Sequence, residues 1–137
     1  MKTLKLVKNN PSYWEFIRRL KNTDVSRANS VSSHIITPDE HKNYMKTYGE
    51  QYFICLKEDI PVGYVGANAR GYISIAVAET ARGQGLGKFM LKTYCSYEEN
   101  ANRRAIVSTS NDASLALFES CGFKKRYYIF EKENCDD

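Results

Sequence analysis

Val77-Ala78-Glu79-Thr80-Ala81-Arg82-Gly83-Gln84-Gly85-Leu86-Gly87-Lys88 sets three glycines at alternate positions between two segments of different period. Upstream, Tyr72, Ser74, Ala76 and Ala78 alternate with Ile73, Ile75 and Val77, which is the period of a strand. Downstream, the pattern predicts a helix of about 12–14 residues. Glycines at such a junction let the backbone come close to a ligand and leave several amide N–H groups without partners. Those donors and the positive end of the helix dipole form a site for phosphate. Arg82 and Lys88 add positive charge at either end.

Two common phosphate loops fail on residues. A P-loop requires Gly, four residues, then Gly-Lys-Ser/Thr, but Arg82 stands five before Gly87 and Phe89 follows Lys88. A dinucleotide fingerprint starting at Gly83 and Gly85 needs a glycine where Lys88 stands.

Outward from the turn, the chain reads as one mixed α/β domain over residues 1–137. Leu4, Leu6 and Val7 suggest a first strand, and Asn10-Pro11 opens a helix with Asn as cap and Pro at its first position. Tyr13, Phe16, Ile17 and Leu20 form one buried stripe. Residues 23–36 read as a polar loop. Thr37-Pro38-Asp39-Glu40 has capping-box spacing and starts a second helix, with His41, Tyr44, Met45 and Tyr48 facing inward. Strands at 51–57 and 62–67 are joined by a turn at Glu58-Asp59-Ile60-Pro61. After the glycine turn and its helix come a strand at 105–108, a helix at 111–120 stopped by Gly122, and an aromatic strand at 123–132. The predicted order is β-α-α-β-β-β-α-β-α-β.

Composition narrows the function classes. The 137 residues are 42 % hydrophobic, 12 % aromatic and 26 % charged, with mean hydropathy −0.53, as expected of a soluble globular domain. The uncharged stretch Gly71–Ala78 is far too short to span a bilayer. The N-terminus Met1-Lys2-Thr3-Leu4-Lys5 has no apolar signal core, so a cytoplasmic location is expected. Cys55, Cys95, Cys121 and Cys135 form no C-x-x-C pair, and His34 and His41 are distant from all of them; no metal is expected. Net charge +4 is spread along the chain without a dense basic patch. That suits a small anionic ligand better than nucleic acid.

Arg82-Gly83-Gln84-Gly85-Leu86-Gly87 resembles the R/Q-x-x-G-x-G/A signature of the GNAT superfamily of acetyl-CoA-dependent N-acetyltransferases. Asn111-Asp112-Ala113-Ser114 through Leu117-Phe118-Glu119 to Cys121-Gly122-Phe123 is similar to that family's second motif, an Asn-led helix ending in Gly-Phe. The resemblance covers residues 3 to 132. It implies a central mixed sheet of about six strands, splayed at the cofactor site and flanked by about four helices. Residues 70–130 would be the acetyl-CoA-binding core, and residues 1–50 would carry the acceptor-side helices.

Carried over by residue, the resemblance implies that the backbone of Ile75 and Val77 pairs with pantetheine. The segment Arg82, Gly83, Gln84, Gly85, Leu86, Gly87 and Lys88 binds the cofactor, with amides from Gln84 to Lys88 on the pyrophosphate. The Val77 N–H polarises the thioester carbonyl, and Asn111 contacts pantetheine or caps its own helix. Glu79, just past the strand, is the candidate base, acting through water. Phe118 occupies the position where many members carry a tyrosine acid, and it packs on the cofactor without donating a proton. Ser114, Cys121 or Tyr127 then serves instead, the thiolate leaves unaided, or the chain binds CoA without catalysis.

The expected acceptor is a small-molecule amine. Tyr13 to Asn22, Ile36 to His41, Tyr44-Met45 and Pro61 to Gly66 resemble bacterial enzymes that acetylate amino sugars on nucleotide carriers. In the loop 23–36, Asn29, Ser30, Ser32, Ser33 and His34 offer hydrogen bonds; Tyr72 and Ser74 share a strand face; Arg18, Arg19 or Arg27 suit a diphosphate. Trp14 and His41 read as core. A peptide amine is the alternative acceptor. Polyamines and aminoglycosides rank lower because the first half lacks an acidic run. The chain is expected to be a monomer, or a homodimer through its aromatic last strand, with no nucleic-acid or membrane partner.

Overall fold

The computed structural model describes residues 3–23, 26, 34–99 and 101–132. Four antiparallel strands stand in chain order: β1 (Leu4–Lys8), β2 (Phe53–Lys57), β3 (Ile60–Ala67) and β4 (Ile73–Val77). Four helices accompany them among the described residues: α1 (Trp14–Lys21), α2 (Pro38–Tyr48), α3 (Leu86–Ser96) and α4 (Asp112–Ser120). No helix among the described residues is long and apolar enough to cross a membrane.

Local signals act where the sequence places them. Asn10 caps a short 3-10 turn (Pro11–Tyr13) by accepting from the Ser12 N–H at 2.9 Å, and α1 continues from it. The Thr37 hydroxyl accepts from the Glu40 N–H at 3.2 Å and starts α2. Glu58 and Asp59 both adopt positive φ, 52° and 67°, and turn β2 back into β3.

Alternation along the strands divides the core in two. On one face Val62, Val65 and Ala67 pack with Leu86, Met90 and Tyr94 of α3, joined by Ile73, Ile75 and Val77. On the other, Tyr52, Ile54 and Tyr64 pack with Ile17 and Leu20 of α1 and Met45 of α2, joined by Ala76. Met90, Leu91, Ile17 and Ile54 are fully buried, and each stabilises by about 2 kcal/mol relative to exposure.

The sheet has four strands among the described residues, not about six. Residues 105–108 form no strand: only Tyr72 bridges Arg104, in parallel, before the two segments part. Residues 123–132 also form no strand, and Tyr127, Tyr128 and Phe130 are 87 %, 87 % and 95 % exposed. Their aromatic content favours a pleated, half-buried surface, but no ladder reaches them once the 105–108 segment has left β4. The edge expected to pair with a second copy is therefore not a strand edge. The polar loop largely falls outside the described residues, including Arg27, Asn29, Ser30, Ser32 and Ser33.

Candidate active site

The β3–β4 register decides which way β4 presents its backbone. The Ala78 N–H donates to the Val62 carbonyl at 2.7 Å, and Tyr64–Ala76 and Gly66–Ser74 follow at the same period. Ile73, Ile75 and Val77 therefore turn their N–H and C=O groups away from β3. Ile73 uses its donor on the Arg104 carbonyl at 2.8 Å. Among the described residues no backbone carbonyl accepts from Ile75 or Val77 on that edge. The sheet opens there.

Beyond β4, Glu79–Ala81 make a 3-10 turn and the glycines follow. Gly83 and Gly85 take φ of 78° and 75°, and a Cβ on either would meet nothing within 4 Å. Backbone conformation, not space, requires glycine at both. Gly85 is the N-cap of α3 and supplies no side-chain cap, and the first bond of the helix runs from Phe89 N–H to Gly85 O at 3.2 Å. The N–H groups of Leu86, Gly87 and Lys88 are thus left at a helix start fixed from beneath by buried Leu86 and Met90. Arg82, Gln84 and Lys88 are exposed around it. The Lys57 ammonium contacts the Gln84 side-chain oxygen, adding a third cation that motif reading missed. Only strand pairing brings Lys57 to the turn.

A Cβ on Gly87 would lie 3.3 Å from Leu117, so α3 and α4 approach closely at this glycine. Asn111 caps α4 by accepting from the Ser114 N–H at 3.2 Å, while its own amide hydrogens meet no acceptor among the described residues. Phe118 is buried and stacks edge-on against Phe123, centroids 5.1 Å apart. Glu79 is exposed, with no hydrogen bond or ion pair among the described residues. Among the other acid candidates, Ser114 is held through its backbone by Asn111, the Cys121 sulfur lies 3.8 Å from the Ser120 hydroxyl, and Tyr127 stands in solvent.

On the acceptor side, Arg18 is taken up by Glu15 at 2.5 Å and by the Ile36 carbonyl at 3.2 Å, and Arg19 also reaches Glu15. Arg18 and Arg19 hold the Glu15 carboxyl down at about 2. Arg18 is thus committed within the fold, whereas the Arg19 side chain stays largely exposed. His34 pairs with Glu40 at 3.1 Å. His41 is 3 % exposed, a core residue as read from its helix face. Burial first, and then the Lys21 charge, push its imidazole down to about 4. Tyr72 carries the Arg104 guanidinium over its ring at 5.5 Å, and Ser74 hydrogen-bonds the Tyr64 hydroxyl at 3.0 Å.

A strand edge left open beside an uncapped glycine helix start is the arrangement that the sequence motifs anticipated, and comparison with known proteins decides what it belongs to. The profile of the acetyltransferase (GNAT) family matches residues 14–123. The chain is a member of the GNAT family. With the family comes the enzyme class, an N-acetyltransferase. No curated protein matches the chain. Solved GNAT structures share its fold. A spermidine N-acetyltransferase from Vibrio cholerae, in complex with CoA and spermine, superposes with TM-score 0.77 at 18 % identity, covering 94 % of this chain and 85 % of the other. A GNAT phosphinothricin acetyltransferase from Sinorhizobium meliloti, in complex with acetyl-CoA, gives 0.74 at 23 % identity, covering 89 % and 75 %. An aminoglycoside N-acetyltransferase in complex with CoA gives 0.70 at 17 % identity, covering 98 % and 97 %.

Proposed function

We propose that this GNAT protein transfers an acetyl group from acetyl-CoA to the primary amine of a small molecule, with a nucleotide-linked amino sugar as the first acceptor to test. The observation that carries the reading is the open edge of β4 at Ile75 and Val77, set beside the uncapped start of α3. Acetyl-CoA supplies the activated acyl thioester. The amides from Gln84 to Lys88 hold its pyrophosphate, with Arg82, Lys88 and Lys57 balancing the charge. Ile75 and Val77 offer the backbone donors and acceptors that an extended pantetheine needs. The Val77 N–H stabilises charge on the carbonyl oxygen during attack. Glu79, exposed just past the strand, takes the proton that the acceptor ammonium must lose, through water. Asn111 directs its spare amide hydrogens to pantetheine, and Phe118 contributes packing.

The amino-sugar acceptor is supported by the N-terminal motifs Tyr13 to Asn22, Ile36 to His41 and Pro61 to Gly66. One observation favours a second reading: Phe118, buried against Phe123, gives the leaving thiolate no proton, as in a protein that binds acetyl-CoA without turning it over. Release of free CoA separates the two. Purified protein with acetyl-CoA and a panel of amino-sugar nucleotides, peptides and simple amines is expected to release CoA with one small-molecule class. Release with peptides alone would move the acceptor to a protein amine. Tight acetyl-CoA binding without release from any acceptor would establish the binding role.

A further inference from the structure

Lys21 ends α1 with its side chain laid across the sheet face opposite α3. Its ammonium donates to the Tyr52 hydroxyl at 3.0 Å and lies 4.8 Å from the ring centroids of both Tyr44 and Tyr52, and 5.7 Å from that of Tyr64. The phenols are linked among themselves and to β4: Tyr44 to Tyr52 at 3.1 Å, and Tyr64 to Ser74 at 3.0 Å. No carboxylate pairs with this ammonium among the described residues. Glu15, on the same helix, is taken up by Arg18 and Arg19. His41 of α2 is held neutral, and burial pushes the Tyr52 and Tyr64 phenols up, Tyr64 to about 12, so neither supplies a negative charge.

A cation so enclosed is costly without a counter-charge, and aromatic faces offset only part of that cost. Burial has already drawn the Lys21 ammonium down to about 8, so it remains mostly charged at neutral pH. Two of its three N–H donors are uncommitted beside a row of hydroxyls. Such a set matches an anion. It also opposes a polycation, which would meet an enclosed positive charge and, among the described residues, no carboxylate paired beside it. Ser74, at the β4 end of the hydroxyl row, stands on the same strand as Ile75 and Val77, so the cluster and the open edge share β4.

We infer that Lys21, with the hydroxyls of Tyr44 and Tyr52, binds an anionic group of the acceptor, a carboxylate or a phosphate, and so selects amines that carry one; this takes the acetyl-transfer reading above as given. The test compares matched acceptors: an amino acid against its carboxamide, and a phosphorylated amino sugar against the unphosphorylated sugar. Wild type, Lys21→Met, Lys21→Arg and Tyr52→Phe are each assayed for CoA release, with acetyl-CoA binding by calorimetry as the check of folding.

The wild type is expected to favour one anionic member of a pair, and the productive pair tells carboxylate from phosphate. In Lys21→Met that preference collapses through KM, by about 10- to 100-fold. Lys21→Arg keeps part of it, and Tyr52→Phe loses a smaller share. KM for the anionic acceptor rises as pH passes 8 in wild type and not in Lys21→Met. A wild type that favours neutral or polycationic amines while binding acetyl-CoA overturns the inference and leaves the acetyl transfer standing. So does a preference unchanged in Lys21→Met. A kcat loss common to all acceptors would make Lys21 a proton carrier instead, also overturning it. Failure of the wild type to bind acetyl-CoA brings down both readings.

Discussion

The Lys57 ammonium rests on the side-chain oxygen of Gln84, joining the end of β2 to the glycine turn twenty-seven residues away. The contact holds a cation at the glycine turn that precedes α3. Lys57→Ala is expected to weaken acetyl-CoA binding by about 2- to 5-fold, an effect that shrinks in high salt as an exposed charge should. Calorimetric titration at two ionic strengths checks both parts. Affinity unchanged at low salt would remove Lys57 from the phosphate site.

Gly85 occupies the left-handed region with open space around it. Gly85→Val is expected to cost about 1–2 kcal/mol in strain and to reduce acetyl-CoA affinity at least tenfold, because relief of the strain moves the first amides of α3. Thermal melting reports the first effect and calorimetry the second. A variant that melts lower but binds as before would place the pyrophosphate elsewhere.

Gly66 stands in β3 directly over the Tyr52 ring, where a Cβ would come within 2.5 Å of Cγ. Gly66→Ala therefore forces Tyr52 aside. A loss of about 3 kcal/mol in urea unfolding is expected, accompanied by a disturbed Lys21 cluster. If the variant unfolds like wild type, the ring has room that these distances deny it.

His41 makes stability depend on pH on the acid side. Unfolded, the imidazole has its ordinary value of 6.5; folded, burial and the neighbouring Lys21 charge hold it at about 4. The unfolded chain takes up a proton in that window and the folded chain does not. The contribution, about 2 kcal/mol after allowance for screening, is complete above pH 6.5 and lost as pH falls through 4. In His41→Gln, urea unfolding measured from pH 7 to 4 should show a flatter decline.

Lys21 acts on the alkaline side with the opposite consequence. Its value falls from 10.5 unfolded to about 8 folded, so the protonated side chain destabilises the fold and stability rises as pH climbs from 8 toward 10. Lys21→Met is expected to be more stable than wild type at pH 7 by about 1–3 kcal/mol, the advantage shrinking by pH 10. Unfolding at both pH values tests it. A variant less stable than wild type at pH 7 would mean that the aromatic contacts outweigh the burial cost.

Much of this architecture is legible because its signals are local. Thr37 and Glu40 announce α2, the stripe from Tyr13 to Leu20 announces the buried side of α1, and Gly83 and Gly85 announce their turn. Residues 105–108 and 123–132 have strand-like composition yet form no strand, because strand formation depends on a partner at long range, and alternation cannot report that β4 and its neighbour part after Ile73. The glycine turn and the start of α3 were visible as a motif. Lys57 and Lys21 were not, because each acquires its meaning only from residues of other strands and helices. Lys21 follows Leu20 of the stripe and reads there as an ordinary helix-end lysine. Nothing in its neighbourhood along the chain hints at Tyr44, Tyr52 and Tyr64.

The parting of the sheet after Ile73 also has a kinetic face. An amide in mid-sheet normally exchanges its hydrogen with solvent only when the domain opens. Ile75 and Val77 sit mid-chain in the fold yet face their edge without a backbone acceptor, so their hydrogens should exchange orders of magnitude faster than those within the β2–β3 ladder. A strand-like ligand would quench that exchange at these two positions while leaving the core amides as they were. The protein thus carries its own isotopic gauge of occupancy, readable without substrate turnover.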